Sequence, residues 1–178
     1  MKTIKYIGLC LLTLAFIACE TDDAIDTGNT TLPALTAGSV DFSTYVAVGA
    51  SFTAGVSDNG LFIASQENSF PNTLSKAFAN VGGGEFLQPS VNDNTGGILV
   101  GGTAVRGYRL VTVGGFPSPL DVFLSSQGFP VPPITTEAGI NIGSNFNNFG
   151  IPGAKSFDLT TPGYAGANPY YARIASAP

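Results

Sequence analysis

The sequence predicts an α/β fold, in which short strands alternate with helices, and three observations along the chain lead to this prediction. The apolar run at residues 45–48 is typical of a buried strand, and it passes into a turn of small residues at 49–55 that contains Ser51. A segment with the apolar periodicity of a helix follows at residues 69–80, and a second strand end at 146–150 precedes another short helix. In open α/β sheets, functional groups lie on turns at the carboxyl ends of strands, so the turn with Ser51 is where a site is expected.

Residues 1–18 are predicted to be a signal peptide and not part of the fold. Lys2 and Lys5 form a positive start, and residues 7–17 are an apolar core that is short for a membrane span. The Ala-Cys junction that follows resembles the processing site of a bacterial lipoprotein, which implies that Cys19 becomes the lipidated N-terminus. Acyl chains on Cys19 would hold the protein on a membrane without spanning it. A plain secretory signal with an incidental cysteine is the alternative.

Residues 19–40 are polar, acidic at their start and rich in turn residues, so they are predicted to form a flexible tether. Acidic residues directly after a lipidated cysteine resemble the surface-export signal of lipoproteins from Bacteroidetes-type bacteria. This implies a protein of the cell envelope, lipid-anchored to the outer membrane and exposed at the surface, and a merely solvated linker is the alternative. Loss of Lys2 and Lys5 with the signal changes the net charge from −5 to −7, so nucleic acid is not expected as a partner.

Both cysteines of the chain, Cys10 and Cys19, lie outside the predicted folded domain at residues 41–178. That domain therefore has no disulfide and no thiol chemistry, which excludes a cysteine-dependent hydrolase and a zinc site with cysteine ligands. No metal and no cofactor is expected.

Local signals place a turn and a helix after the strand that precedes Ser51. Residues 56–60 have the composition of a turn, and Ser69 can cap a helix that ends at Asn80 and the glycines after it. The apolar residues on one face of this helix are predicted to lie in the core: Phe70, Leu74, Ala77 and Phe78. A similar short helix is predicted to start at residues 156–159 and to end at 162–164.

Two segments, in this order, resemble the first two conserved blocks of the SGNH, or GDSL-type, superfamily of esterases and lipases. Residues 49–55, Gly-Ala-Ser-Phe-Thr-Ala-Gly, are similar to the first block, and residues 148–159, Asn-Phe-Gly-Ile-Pro-Gly-Ala-Lys-Ser-Phe-Asp-Leu, are similar to the second. The stretch 45–159 is also similar in style to surface lipoproteins of this superfamily. The resemblance implies a flavodoxin-like, three-layer fold with a central parallel sheet, of which residues 41–178 are the N-terminal part.

The resemblance also implies roles for individual residues. Ser51 would be the nucleophile of an acyl-enzyme, and the backbone N–H groups of Ser51 and Gly153 would donate to the oxyanion. Asn148 would hold the loop of the second block in place. Ala50 stands where the family usually has Asp, and Phe52 stands where it usually has Leu. The implied partner is an ester substrate: a lipid, an acetylated glycan or a small ester.

Residues 85–145 are predicted to be an insertion between the two blocks. Residues 107–113 have the composition of a strand that pairs with residues 98–100 across a Gly-Gly turn, and the prolines from Pro117 to Pro133 are expected to break up regular structure. The insertion either lines a substrate cleft or is a passive surface loop.

The third and fifth blocks of the family, which carry its catalytic Asn and its Asp and His, do not occur, and the chain contains no histidine. A triad serine without its base loses several orders of magnitude in rate. The predicted function is therefore a serine ester hydrolase of which this chain is an N-terminal fragment, inactive by itself. The alternative is a non-catalytic, lipid-anchored surface module that kept the SGNH scaffold and binds a carbohydrate or a protein. An outer-membrane or fimbria-like β protein would fit the composition but not the two ordered blocks.

Overall fold

The computed structural model describes residues 33–175, and the elements below belong to one compact unit that begins at Leu35. The predicted signal peptide, Cys19 and most of the predicted tether at residues 19–40 lie outside the described residues. Within the described part, no helix is both long and apolar enough to cross a membrane.

The fold is mixed α/β, as predicted, and its parallel part is a pair of strands. Strand β1 (Ala47–Gly49) pairs in parallel with strand β6 (Asn148–Gly150), with Val48 opposite Phe149. In the described residues this sheet has two strands, and the other two sheets are antiparallel hairpins.

The prediction that residues 45–48 form a fully buried strand is wrong for the two valines. Ala47 is buried, whereas the side chains of Val46 and Val48 are 50% and 64% exposed. Successive side chains of a strand point to opposite faces, and the residues described here cover the face of Ala47 alone. The exposed face is therefore apolar.

Helix α1 (Ser51–Ala54) follows β1 directly and ends at Gly55, whose φ of +90° is the left-handed conformation in which glycine is favoured. The predicted turn comes next and is confirmed. Asp58 and Asn59 have φ of +50° and +60°, and the flanking Ser57 and Gly60 exchange backbone hydrogen bonds of 3.0 and 2.8 Å. Two successive positive φ values are typical of a tight type I′ turn, which Asp and Asn tolerate.

Two helices follow the turn: α2 (Ile63–Glu67) and α3 (Phe70–Ala79). Helix α3 confirms the predicted helix, because the Ser69 hydroxyl accepts from the backbone N–H of Asn72 at 3.4 Å and the helix ends before Asn80.

The prediction of a buried apolar face on α3 is wrong for most of that face. Phe70 and Leu74 are 38% and 40% exposed and Ala77 is also exposed, while Pro71 and Ser75 are the buried residues. Phe78 alone packs as expected, half-buried, with its ring centroid 4.7 Å from that of Phe42 and 5.1 Å from that of Tyr45. Helix α3 thus approaches its neighbours through small residues and leaves apolar surface open.

The segment from 85 to 145 contains two hairpins in place of the single predicted pair. Strand β2 (Ile98–Val100) pairs with β3 (Thr103–Arg106), and β4 (Leu110–Val113) pairs with β5 (Phe116–Pro119). The predicted pairing of 107–113 with 98–100 is therefore wrong. Each hairpin turns through its own Gly-Gly pair with positive φ: Gly101 and Gly102, then Gly114 and Gly115.

The expectation that the prolines exclude regular structure is wrong for Pro117 and Pro119, which lie in β5. Proline is tolerated there because β5 is an edge strand, whose second side needs no backbone donor. Helix α4 (Leu120–Ser126) follows directly, and the prolines from Pro130 to Pro133 lie in irregular chain, as expected.

The carboxylate of Asp93 fastens two distant loops to each other. It accepts from the backbone N–H groups of Thr95 and Thr135 at 2.8 and 2.7 Å, and from their hydroxyls at 2.5 and 2.7 Å. Partial burial acts to raise the pKa of Asp93, but the hydrogen bonds from Thr95 and Thr135 outweigh it and hold the pKa below 3.8.

Asp93 is therefore expected to stabilise the fold above about pH 3.8. This contribution is lost as the pH falls through the lowered pKa that Asp93 has in the folded state. Asp93→Asn replaces one of the two accepting oxygens with an NH₂ group, so the donors of either Thr95 or Thr135 lose their acceptor. This should cost about 2 kcal/mol of unfolding free energy at pH 7. The substitution should also flatten the pH dependence of the unfolding free energy below about pH 3.8. Urea unfolding across this range measures both effects. Asp121→Asn is the control, and an equal loss in that variant would contradict the role of Asp93.

The end of the described chain differs from the predicted short helix. Asp158–Thr160 form one 3₁₀ turn, and Tyr164 begins helix α5 (Tyr164–Ala167) where the sequence predicted an end. Helix α6 (Pro169–Ala172) follows, capped by Asn168. A small core of Ala54, Leu61 and Val91, against which Tyr170 of α6 packs, lies beneath α1.

Candidate functional site

Ser51 and Gly153 lie together at the carboxyl ends of the two parallel strands. Ser51 is the first residue of α1, directly after β1, and Gly153 follows β6. The backbone N–H of Gly153 donates to the Ser51 Oγ at 3.3 Å. Gly153 has a φ of +82°, so glycine is favoured at the position that turns this amide toward the serine. The carboxyl ends of parallel strands are where open α/β sheets bind ligands.

The close approach of α1 to both strands depends on two glycines. A Cβ on Gly150 would overlap the backbone nitrogen of Ala54 and lie 2.6 Å from its Cα. A Cβ on Gly49 would overlap the hydroxyl of Thr53 and lie 2.9 Å from its Cβ. Gly49 and Gly150 are paired in the strand register, so together they let the first turn of the helix rest on the sheet.

Asn148 joins β6, the helix α1 and the chain that leads to Gly153. Its side chain is 1% exposed, and its amide NH₂ donates to the carbonyl of Thr53 at 3.0 Å and to the Oε1 of Gln88 at 3.3 Å. Its side-chain oxygen accepts from the N–H of Gly150 at 2.9 Å. The structure thus places Asn148 beneath the site, with both polar atoms of its side chain bonded to the protein.

Two glutamines that sequence reasoning missed extend this polar network. Gln88 donates to the carbonyl of Gln66 at 3.1 Å, and Gln66, which is 2% exposed, donates to the carbonyl of Pro89 at 3.3 Å. The Oε1 of Gln66 accepts from the N–H of Val91 at 2.8 Å. Gln66 is buried and Gln88 half-buried, and the burial of a single amide side chain leaves no periodic pattern in the sequence, so no local signal could have found these residues.

A second asparagine fixes the loop of Gly153 from the other side. The side-chain NH₂ of Asn168 donates to the carbonyl of Pro152 at 2.9 Å, while its oxygen caps helix α6 by accepting from the N–H of Tyr170 at 2.9 Å. The residue before Gly153 is therefore anchored to a helix end, and the amide that faces Ser51 is held in place through its neighbours.

Two grooves flank the turn that carries Ser51. The first has a volume of about 240 Å³ and lies between the chain ends after β1 and β6; it is lined by Val48, Gly49, Ala50, Ala154, Lys155 and Ser156. The second has a volume of about 500 Å³ and is bordered by Phe52 and Phe70, whose rings stack at 5.1 Å. Apolar groups thus make up most of the surface of the two grooves, with Lys155 and Ser156 in the first and Asn68 among the polar residues of the second.

Within the described residues, the hydrogen-bond partner of the Ser51 Oγ is the Gly153 amide, and no carboxylate contacts it. The exposed Lys155 ammonium lies over the ring of Phe157, 5.6 Å from its centroid. No group of three or more potential metal-ligating side chains occurs in the described part of the chain.

Comparison with known proteins gives no further assignment: no protein-family model, no curated protein and no solved structure matches this chain.

Proposed function

We propose that this chain carries the nucleophile and two oxyanion donors of a serine ester hydrolase of the SGNH type. The observation that carries the proposal is the contact of 3.3 Å between the Gly153 amide and the Ser51 Oγ, at the carboxyl ends of paired parallel strands. When Oγ bonds to an ester carbonyl, the oxyanion is attached to the same carbon as Oγ. An amide already directed at Oγ is therefore within reach of that oxyanion.

In the proposed reaction, Ser51 Oγ attacks the ester carbonyl and its proton passes to a base. The oxyanion accepts from the N–H groups of Ser51 and Gly153. The Ser51 N–H can donate to it because the first N–H groups of a helix have no partner within the helix. Each such donor typically contributes about 3 kcal/mol of transition-state stabilisation. The alcohol takes up a proton as it leaves, and water then hydrolyses the acyl-enzyme and restores the serine. The base is proposed to belong to a part of the protein outside residues 1–178, as the family resemblance implies.

The proposed complete fold is flavodoxin-like, with β1 and β6 as neighbouring strands of a larger parallel sheet. The exposed side chains of Val46 and Val48 support this proposal, because strands of parallel sheets are usually covered on both faces. The exposed apolar residues of α3, Phe70 and Leu74, support it for the same reason.

The proposed substrate is a carboxylic ester of an acyl or acetyl group, carried by a lipid, a glycan or a small alcohol. The two grooves beside Ser51 support this class, because their apolar lining suits an acyl chain or an uncharged leaving group. The proposed reaction needs no metal and no cofactor.

The test is hydrolysis of p-nitrophenyl acetate by the product of the full reading frame that encodes this chain. Ser51→Ala is expected to lower kcat by several orders of magnitude, since the nucleophile is lost. Ser156→Ala is the matched control, because this exposed serine lines the first groove beside the Ser51 turn without facing the Gly153 amide. Equal rates in Ser51→Ala and wild type would reject the proposed function.

The proposed location is the cell envelope, with the protein anchored to the outer membrane through lipid on Cys19. This proposal is supported by the Ala-Cys junction after the apolar segment. Wild-type protein is expected in the detergent phase after phase separation, since two or more acyl chains give stable anchoring. Cys19→Ala is expected in the aqueous phase, or with its signal peptide still attached. Partition of both proteins into the aqueous phase would reject lipidation.

A non-catalytic, lipid-anchored surface module is the second candidate function. The observation that favours it is that, in the described residues, Ser51 contacts an amide donor and no group that could accept its proton. Under this alternative the grooves beside Ser51 bind a ligand without chemistry, and the hydrolysis assay gives the same background rate for wild type, Ser51→Ala and Ser156→Ala.

A further inference from the structure

Residues 110–131 form a unit in which no residue is buried. This hairpin–helix unit consists of strands β4 and β5, helix α4 and the irregular chain that follows them. Its exposed side chains include large apolar ones, and Phe116 and Phe129 are 76% and 60% exposed. Val113 lies directly opposite Phe116 beside the Gly-Gly turn, so these two side chains share one face at the end of the hairpin. The unit thus presents apolar surface to its surroundings.

The hairpin–helix unit also has almost no charge. From residue 110 to residue 136, Asp121 is the only charged residue. Surfaces that face water usually have a charged residue at about one position in four, and an exposed apolar patch marks a surface that binds a partner or a membrane. Because this stretch contains no lysine and no arginine, its binding partner is expected to be apolar or uncharged, and not anionic.

The outer edge of β5 is suited to an apolar environment and not to a further strand. The N–H of Leu120 donates to the carbonyl of Arg109 at 2.9 Å, which makes these two residues a hydrogen-bonded pair across the hairpin. Inward and outward N–H groups alternate along an antiparallel strand, so Pro119 and Pro117 occupy positions whose N–H would point outward. Proline has no N–H. This edge therefore offers no backbone donor, which an added strand would need and which would be costly to bury in lipid.

A lipid surface is always within reach of the unit if Cys19 is acylated, as proposed above. Cys19 is 16 residues before Leu35, where the described fold begins. A chain of this length spans at most about 55 Å, and a short tether gives an effective concentration in the millimolar range, so weak contact is sufficient. The unit has its own sheet, separate from that of β1 and β6, so the larger parallel sheet proposed above does not account for its exposed surface.

We propose that the hairpin–helix unit docks on the lipid bilayer that carries the anchor. Phe116 at the end of the hairpin and Phe129 after α4 enter the boundary between headgroups and acyl chains, as apolar side chains of interfacial segments do. Strand carbonyls that point outward stay with the hydrated headgroups, so the insertion is shallow. The proposal rests on the proposed lipid anchor and not on the hydrolase activity, since Ser51 and Gly153 take no part in docking.

Flotation with phosphatidylcholine vesicles tests the proposal. The protein is the product of the full reading frame, expressed from residue 20 so that it has neither signal peptide nor acyl chains, and it is expected to float with the vesicles. The double variant Phe116→Ser, Phe129→Ser should bind at least about tenfold more weakly, because two large apolar side chains no longer enter the bilayer. Phe157→Ser is the matched control, since Phe157 is 62% exposed and lies outside the unit, and it should bind like the parent protein. Because none of these proteins has an anchor, a failure of lipidation at Cys19 does not change the result.

A parent protein that stays unbound would overturn the proposal, whether a second copy or another part of the chain covers the unit. A double variant that binds as tightly as Phe157→Ser would also overturn it. If the double variant does not fold, Phe116→Trp replaces it, and its fluorescence should shift to shorter wavelength when vesicles are added, while that of Phe157→Trp should not. Equal responses of the two tryptophan variants would contradict docking through the unit.

Discussion

Replacement of Gly150 by alanine is expected to destabilise the fold by more than about 3 kcal/mol, which is a large part of the stability of a small domain. The added Cβ would overlap the backbone nitrogen of Ala54, lie 2.6 Å from the Ala54 Cα and lie 2.6 Å from the carbonyl carbon of Thr53. These atoms belong to the helix backbone and cannot rotate away as a side chain can. Helix α1 would therefore have to leave the sheet, and Ser51 would move with it.

Urea unfolding followed by circular dichroism measures this effect, with Gly107→Ala as the control. A Cβ on Gly107 meets no atom within 4 Å, and Gly107 does not have a positive φ, so its variant should unfold within about 0.5 kcal/mol of wild type. A Gly150→Ala protein as stable as Gly107→Ala would contradict the close contact between α1 and β6.

Replacement of Asn148 by aspartate is expected to cost about 3–5 kcal/mol at pH 8, although the two side chains have nearly the same shape. The amide NH₂ donates to the carbonyl of Thr53 and to Gln88 Oε1, and a carboxylate would instead turn a negative oxygen toward these two acceptors. Burial and these acceptors should raise the pKa of the new carboxyl group. A raised pKa in the folded state means that stability is lost as pH rises, so the cost should be smaller at pH 5 than at pH 8.

The measurement is the unfolding free energy of Asn148→Asp at the two pH values, with Asn145→Asp as the control. Asn145 is exposed and lies just before the same strand, so its variant should match wild type at both. If Asn148→Asp costs the same unfolding free energy at pH 5 and at pH 8, the pKa of the new carboxyl group is not raised into this range. That result would contradict the prediction.

Local sequence signals predicted the elements whose determinants are local. Helix α3 was predicted because its cap at Ser69 and its stop at Asn80 lie within its own sequence, and the turn at Asp58 and Asn59 was predicted for the same reason. The burial of helix α3 was not predicted correctly, because periodicity shows which residues share a face and not whether that face is covered. Phe70 shows the difference, since it keeps the predicted spacing and is 38% exposed.

Pairing partners and the site could not be read from local signals. Residues 98–100 are followed by two Gly-Gly turns, and nothing local shows that each turn closes its own hairpin. The contact between Ser51 and Gly153 and the bond from Asn148 to Thr53 join residues far apart in sequence, so no local signal marks them, and the family resemblance alone placed Ser51, Gly153 and Asn148 at one site. The buried side chains of Gln66 and Arg173 were missed because nothing in the sequence marks a polar side chain as buried.

The pairing of β1 with β6 has a consequence for the order in which the molecule folds. Ser51 and Gly153 are 102 residues apart along the chain, and closing a loop of that length costs about 4 kcal/mol of chain entropy. The two hairpins between them close over two-residue turns, and such local contacts form within microseconds. The intervening chain therefore shortens the loop before the parallel strands meet. We therefore expect the amide that faces the serine to reach its position late in folding, after the hairpins have formed.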